Sequence, residues 1–242
     1  MNLIVDIGNT HIKLAIFGKD LLLYQERVGQ KQLSQALQRV MDIHTSVTHA
    51  IVSAAGALSK EHLAVVSRYA KVHVLGHASK VPFKNSYATP QTLGTDRMAL
   101  VTAAFYGFPN RNSLVIDAGS CITYDLLTDR NEYLGGAISP GMGMRYAAMH
   151  RDTDKLPLLA PGQWGDFMGN TTESCMHAGV LNGVEQEILG TVRQYGLRFK
   201  DLTVILTGGD GLFLSERLKN GIFADTNFLL KGLNHLLEHN KL

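Results

Sequence analysis

One pattern occurs twice in this chain, and it limits what the chain can fold into. The apolar run Leu3-Ile4-Val5 ends in Asp6-Ile7-Gly8-Asn9-Thr10, after which Ile12, Leu14 and Ile16 resume with a period of two. Leu114-Val115-Ile116 likewise ends in Asp117-Ala118-Gly119-Ser120, and Ile122-Thr123-Tyr124-Asp125-Leu126 follows. Apolar alternation on both sides of a polar, Gly-containing turn predicts a β-hairpin. The two aspartates lie 111 residues apart in a chain of 242. That spacing predicts a duplicated architecture, residues 1–110 and 111–242, each half opening with an acidic hairpin. Chance recurrence of a polar turn is the competing reading.

The first turn carries groups suited to phosphate. A glycine lets backbone approach a bulky anion, and turn N–H groups can hydrogen-bond it. Lys13 stands on the far arm. A carboxylate cannot face phosphate without repulsion, so Asp6 fits there only with a divalent cation in between. Two such turns facing each other would make one phosphate site from both halves. Taken alone, the stretch is explained as well by an ordinary hairpin with a polar tip.

Elsewhere strands alternate with helices, which predicts an α/β fold. Residues 21–24 supply a further strand, and Leu33, Leu37, Val40 and Met41 fall at helical spacing within 30–43. Residues 51–54 read as a buried strand, 59–69 as a helix and 72–75 as a strand. Residues 81–97, broken by Pro82, Pro90 and Gly94, read as a long loop or lid. A helix follows over 98–106, with Thr95 or Asp96 placed to cap it. A strand over 132–138 leads through Ser139-Pro140-Gly141 into a helix over 142–149. That entry offers free N–H groups to a polar ligand. A long helix is expected over 173–195, with Thr171 or Thr172 as its N-cap. A buried strand over 203–206 then precedes the sharp turn Thr207-Gly208-Gly209-Asp210-Gly211. A short helix over 229–238 closes the chain, and residues 231–242, of mixed charge, read as a solvated end.

Composition excludes several functions. Lys+Arg 23 against Asp+Glu 21 leaves no electrostatic footprint for nucleic acid or an anionic membrane. No run approaches the roughly 18 apolar residues needed to span a bilayer. The amino terminus enters a strand directly, without a secretory leader, and two cysteines are too few for a disulfide framework. A cytoplasmic protein is expected. His73 and His77 straddle a strand end rather than one helix face, so they are not read as metal ligands. Cys121 reads as small packing.

Asp6-Ile7-Gly8-Asn9-Thr10, Asp117-Ala118-Gly119-Ser120 and Thr207-Gly208-Gly209-Asp210 stand in fixed order. Together they resemble the two phosphate motifs and the adenosine motif of the acetate kinase, sugar kinase, Hsp70 and actin superfamily. Further motifs are Gly94-Thr95-Asp96-Arg97 with upstream Tyr87 and Pro90, Gly135-Gly136-Ala137-Ile138-Ser139-Pro140-Gly141, and Gly169-Asn170-Thr171-Thr172. These make the chain most similar to the type III pantothenate kinases. Ser120 stands where that family more often has Thr, and Thr171 where it usually has Asn.

The resemblance implies a duplicated ribonuclease H-like (actin-like ATPase) fold, two mixed-sheet halves with a nucleotide cleft between them. It implies transfer of the ATP γ-phosphoryl to the primary hydroxyl of pantothenate. The product, 4'-phosphopantothenate, is the first intermediate of coenzyme A biosynthesis. Asp96 would then orient the hydroxyl and accept its proton. An ordinary carboxylate, of pKa ~4, cannot deprotonate a free alcohol, so proton transfer must accompany or follow attack. Asp6, Ile7, Gly8, Asn9, Thr10, His11, Ile12, Lys13 and Ser120 would bind ATP. Tyr87, Gly94, Thr95, Asp96, Arg97 and Thr172 would bind pantothenate, with the Arg97 fork on its carboxylate. Asp6 would hold Mg²⁺, directly or through water, and Asp117 a monovalent cation, K⁺ or NH₄⁺. The family is homodimeric, its substrate site completed across the interface, and the long helix after Thr172 is the candidate interface element. Two alternatives share the nucleotide residues: another small-molecule kinase of the superfamily, and a non-catalytic regulator on the same fold.

Overall fold

The computed structural model describes every residue except Asn9, Thr10, Ala55, Ala57, Gln163, Trp164, Lys219, Asn220 and Leu242. In chain order the first elements are β1 (Asn2–Ile7), β2 (His11–Gly18), β3 (Leu21–Gly29), α1 (Leu33–Ile43), β4 (His49–Ala54), α2 (Lys60–Ser67) and β5 (Lys71–Val74). The two-residue strand β6 (Lys84–Asn85) and α3 (Thr95–Gly107) follow. Then come β7 (Ser113–Ala118), β8 (Cys121–Leu127), β9 (Glu132–Pro140), α4 (Met142–Arg151) and α5 (Thr172–Arg198). The chain ends with β10 (Thr203–Thr207), α6 (Gly211–Leu218), β11 (Ile222–Ala224) and α7 (Phe228–Asn240). It divides into two units: Met1–Pro109 with Asn131–Tyr133 and Asn227–Leu242, and Asn110–Arg130 with Leu134–Thr226.

The sheet of the first unit has the order β3-β2-β1-β4-β5. It is mixed: β1 runs antiparallel to β2 and parallel to β4. Its central strand is buried on both faces, which is why Leu3-Ile4-Val5 is continuously apolar. Alternate residues feed two cores. Leu3, Val5 and Ile7 pack with Leu33, Leu37 and Val40 of α1. Ile4 packs on the other side with Ala99 of α3 and Leu230, Leu233 and Leu237 of α7. The period-two pattern therefore sorts residues between two helical layers rather than between core and solvent.

The second unit repeats this plan. Its strands run β9-β8-β7-β10-β11, with β7 antiparallel to β8 and parallel to β10. Strand for strand, that is the order of the first unit. Leu114, Ile116 and Ala118 of β7 pack with Met142 and Tyr146 of α4, Leu181 and Val184 of α5, and Leu214 of α6. Glu187 on α5 accepts hydrogen bonds from Tyr124 Oη (2.9 Å), Ser139 Oγ (2.5 Å) and the Arg145 guanidinium. Burial pushes its carboxyl upward, but the bonds from Ser139, Arg145 and Tyr124 outweigh this and hold it below the ordinary range.

The structure corrects one expectation and adds to others. The carboxyl-terminal segment is not a solvated end. Leu230, Leu233, Leu236 and Leu237 are buried, and Asn2 Nδ2 donates to Asn234 Oδ1 (2.7 Å) and Glu238 Oε1 (2.6 Å). The chain therefore returns to the first unit at Asn227, whereas a cut at 110 assigned this segment to the second half. Residues 81–94 are the long loop expected, apart from β6 and one short turn, but the loop is anchored. Phe83 and Leu93 are buried, and β6 pairs in parallel with Glu132 and Tyr133 at the start of β9. Finally, α6 and β11 are elements the sequence pattern did not announce.

Candidate active site

Three strands of the first unit bring one row of polar side chains together. Asp6 stands opposite Lys13 on β2 and opposite Ser53 on β4. Directly opposed residues point to the same face of a sheet, so these three share one face. It is the face of Ile4, two residues back, hence the face covered by α3 and α7. Ala99 of α3 lies in the Ile4 core, and Asp96 is one helical turn towards the helix start. The geometry of a strand and a turn of helix thus carries Asp96 to Asp6.

The electrostatics register that approach. Burial pushes the Asp6 carboxyl up to about 6; Lys13 opposes the rise, the Asp96 charge adds to it, and a hydrogen bond from Ser53 opposes it. Ser53 is buried. Asp96 itself is exposed. Its Oδ1 accepts the Arg97 N–H (2.8 Å), and it folds so closely over Gly94 that a Cβ there would come within 2.4 Å of it. A side chain at that position would push the Asp96 carboxylate out of this place. The N-cap of α3 is Gly94, with no side-chain capping bond, so neither Thr95 nor Asp96 takes the capping position.

Around this pair, the other expected residues divide. Gly8 closes the first turn, its N–H donating to His11 O (3.0 Å) and its O accepting from Gln30 Nε2 (3.0 Å). Ile7 and Ile12 belong to the core, leaving only their backbone for a nucleotide. His11 Nδ1 is 2.9 Å from Arg27 Nη2. Asn9 and Thr10 lie outside the described residues. Tyr87 and buried Arg97 meet, the guanidinium carbon 5.6 Å from the ring centroid.

In the second unit the same three-strand row recurs: Asp117 stands opposite Thr123 on β8 and Thr207 on β10. Two other motifs converge on its turn. Gly141 N–H donates to Ser120 O (3.0 Å), and Asp210 N–H donates to Ala118 O (2.9 Å). Gly208 adopts φ +96°, and a Cβ there would lie 2.3 Å from Ala118 O and from Asp117 Oδ1. Ser120 is exposed. Farther along, Thr171 is the N-cap of α5, its Oγ1 accepting the Ser174 N–H (3.1 Å). Thr172, free of that duty, is exposed at the edge of an open groove lined by Met149, Leu156, Asn170, Cys175 and Met176.

Sequence reasoning missed Ser53, Gln30 and Thr123, and it named Thr207 only as part of the adenosine motif. The hydroxyl at the end of the strand parallel to each acidic strand is the repeated signal that could have found Ser53 and Thr207. Among the described residues no group of three or more His, Cys, Asp or Glu side chains could hold a metal ion. A cation at Asp6 would therefore draw on substrate phosphate and water. Mg²⁺, which binds through one or two carboxylates plus phosphate oxygens, suits that donor set.

Two mixed sheets that share a five-strand order, the second extended at its edge by β6, each with a carboxylate at the end of its β1 or β7 strand, define an actin-like ATPase fold. Solved structures agree. A Baf family protein from Campylobacter jejuni matches with TM-score 0.67 and 22% identity, over 98% of each chain. The activator of 2-hydroxyisocaproyl-CoA dehydratase from Clostridium difficile matches with TM-score 0.56 and 13% identity, over 99% of this chain and 93% of that one. The family model described as type III pantothenate kinase matches residues 2–194. A type III pantothenate kinase of Christiangramia forsetii is 44% identical over 241 residues, covering 100% of this chain and 99% of the relative. Another, of Flavobacterium johnsoniae, is 41% identical over 239 residues, covering 99% and 98%. The chain belongs to the type III pantothenate kinase family.

Proposed function

We propose that the Asp6–Asp96 pair is the phosphoryl-transfer site of this family member, which transfers the γ-phosphoryl of ATP to pantothenate in coenzyme A biosynthesis. The observation that carries the assignment is that Asp96, one turn of α3 before Ala99, stands on the side of β1 where the half-buried Asp6 points. Phosphoryl transfer passes through a loose transition state, so positioning and charge neutralisation dominate. Asp96 is exposed beside that site, where a carboxylate can accept the hydrogen of an incoming primary alcohol and aim its oxygen. Lys13 and the backbone of residues 7–13 hold phosphate oxygens, and Ser120 contributes a hydroxyl to the nucleotide. Mg²⁺ held by Asp6, directly or through water, would offset phosphate charge. Tyr87, Gly94, Thr95 and Arg97 line the acceptor pocket, with the Arg97 guanidinium on the pantothenate carboxylate.

Asp117 is proposed to hold a monovalent cation, K⁺ or NH₄⁺. Support comes from its donors, a carboxylate beside turn carbonyls, which are hard oxygens. The test is ATP consumption with and without pantothenate, in K⁺ and in Na⁺. Turnover is expected only with pantothenate and faster in K⁺. ATP hydrolysis indifferent to pantothenate would sink the acceptor assignment, and equal rates in the two salts would sink the cation assignment.

A homodimer, with Thr172 completing the partner's acceptor pocket, belongs to the same proposal. Its support is the apolar surface left on β9 and α5, where Ile138 is 61% and Leu197 81% exposed. Sedimentation should give twice the chain mass, and a monomer at micromolar concentration would end the idea. Among the described residues no helix is long and apolar enough to cross a membrane. We place the enzyme in the cytoplasm, with its ATP.

A further inference from the structure

Tyr133 is fully buried, yet it sits at the tip of a hairpin whose neighbours belong to the second unit. Asn131–Tyr133 pack instead with the first unit. Lys84 N–H donates to Asn131 O (2.9 Å), Ser86 N–H to Tyr133 O (3.0 Å), and Lys84 Nζ pairs with Glu132 Oε1 (2.8 Å). The Tyr133 ring packs edge-on against Phe83 (5.9 Å, 65°) and stacks on Tyr87 (6.0 Å, 19°). Arg97 in turn lies over Tyr87.

We propose that Tyr133 is a positioning residue of the acceptor pocket: its ring is the platform on which Tyr87 lies, and through Tyr87 it sets where the Arg97 guanidinium is held. This rests on the reading of Tyr87 and Arg97 as pantothenate contacts. A stacked ring fixes the plane of its neighbour, which an aliphatic side chain of similar volume does not. Removing the ring should therefore loosen acceptor binding and leave the nucleotide side untouched.

The test is steady-state kinetics of Tyr133→Met and Tyr133→Phe, with calorimetric binding of pantothenate. The Met variant should raise the pantothenate KM and Kd about three- to tenfold, with the ATP KM unchanged and kcat within about threefold. The Phe variant keeps the ring and should restore pantothenate KM to within about twofold. In a Tyr87→Leu background, Tyr133→Met should add nothing. An unchanged pantothenate KM, or an ATP KM that rises in step with it, overturns the proposal. If Tyr133→Met does not fold, Phe83→Leu, which strips the other ring packed on Tyr133, should raise the same KM, and no change there overturns it. Tyr87→Leu and Arg97→Lys serve as the reference. If neither alters pantothenate KM, the pocket assignment fails; if both do and Tyr133→Met does not, the platform alone fails.

Discussion

Replacing Asp96 by Asn is expected to lower kcat by about 10²- to 10⁴-fold, the range for losing a positioned base, while ATP affinity changes by less than about threefold. The substitution is a clean one here. Asn keeps an oxygen that can accept the Arg97 N–H, so the first turn of α3 retains the bond it has now. It also keeps the shape that folds over Gly94. What it removes is the charge and the capacity to take a proton. A coupled assay for kcat and calorimetry with a non-hydrolysable ATP analogue separate the two effects. A loss below tenfold would mean that Asp96 neither aims nor deprotonates the acceptor. Loss of nucleotide binding to the same degree would place it on the ATP side instead.

The two hairpins were legible because each needs only local information: an apolar run, a turn with glycine, and alternation after it. The sheet order was not legible in the same way, because it is set by which distant strands pair beside β1 and β7. The meeting of Asp6 with Asp96 was implied by the family resemblance and not by the local pattern. It depends on which face of β1 receives α3, and Leu3-Ile4-Val5 is apolar towards both faces. The fate of the carboxyl terminus was hidden for a similar reason. Lys231, His235 and Glu238 give α7 a charged stripe that reads as solvent-facing. Its opposite stripe, with Asn234, finds partners some 230 residues away at Asn2. Ser53 and Gln30 carry no motif at all. One is a small residue at a strand end and the other a glutamine after a strand, and only the fold shows that they brace Asp6 and Gly8. By contrast, the choice between Thr171 and Thr172 gains a physical basis, because the helix claims Thr171 as its cap.

Replacing Asp6 by Asn should have two opposite consequences, a more stable ligand-free chain and a nearly inactive enzyme. The Asp6 carboxyl is raised from its ordinary 3.8 to about 6, chiefly by burial. The folded chain therefore prefers the protonated acid. At pH 4 the acid is neutral when folded and little is lost. Between about pH 3.8, where the unfolded chain ionises, and about 6, where the folded one follows, the fold loses stability relative to the unfolded chain, and above that the loss is constant. Each pH unit of displacement is worth about 1.4 kcal/mol, so ionised Asp6 costs the fold about 3 kcal/mol at pH 8. That figure is already net of the help from Lys13 and Ser53, which oppose the rise. Asn imitates the neutral acid at every pH. Urea unfolding should then show the variant more stable than the parent at pH 8, by up to about 3 kcal/mol, and level with it at pH 4. Turnover should fall by at least about 10²-fold, because the charge that destabilises the ligand-free fold is the one that would hold Mg²⁺ against the phosphates of ATP. Equal stability at both pH values would show that Asp6 is not a strained acid. Retained turnover would show that its charge has no part in the chemistry.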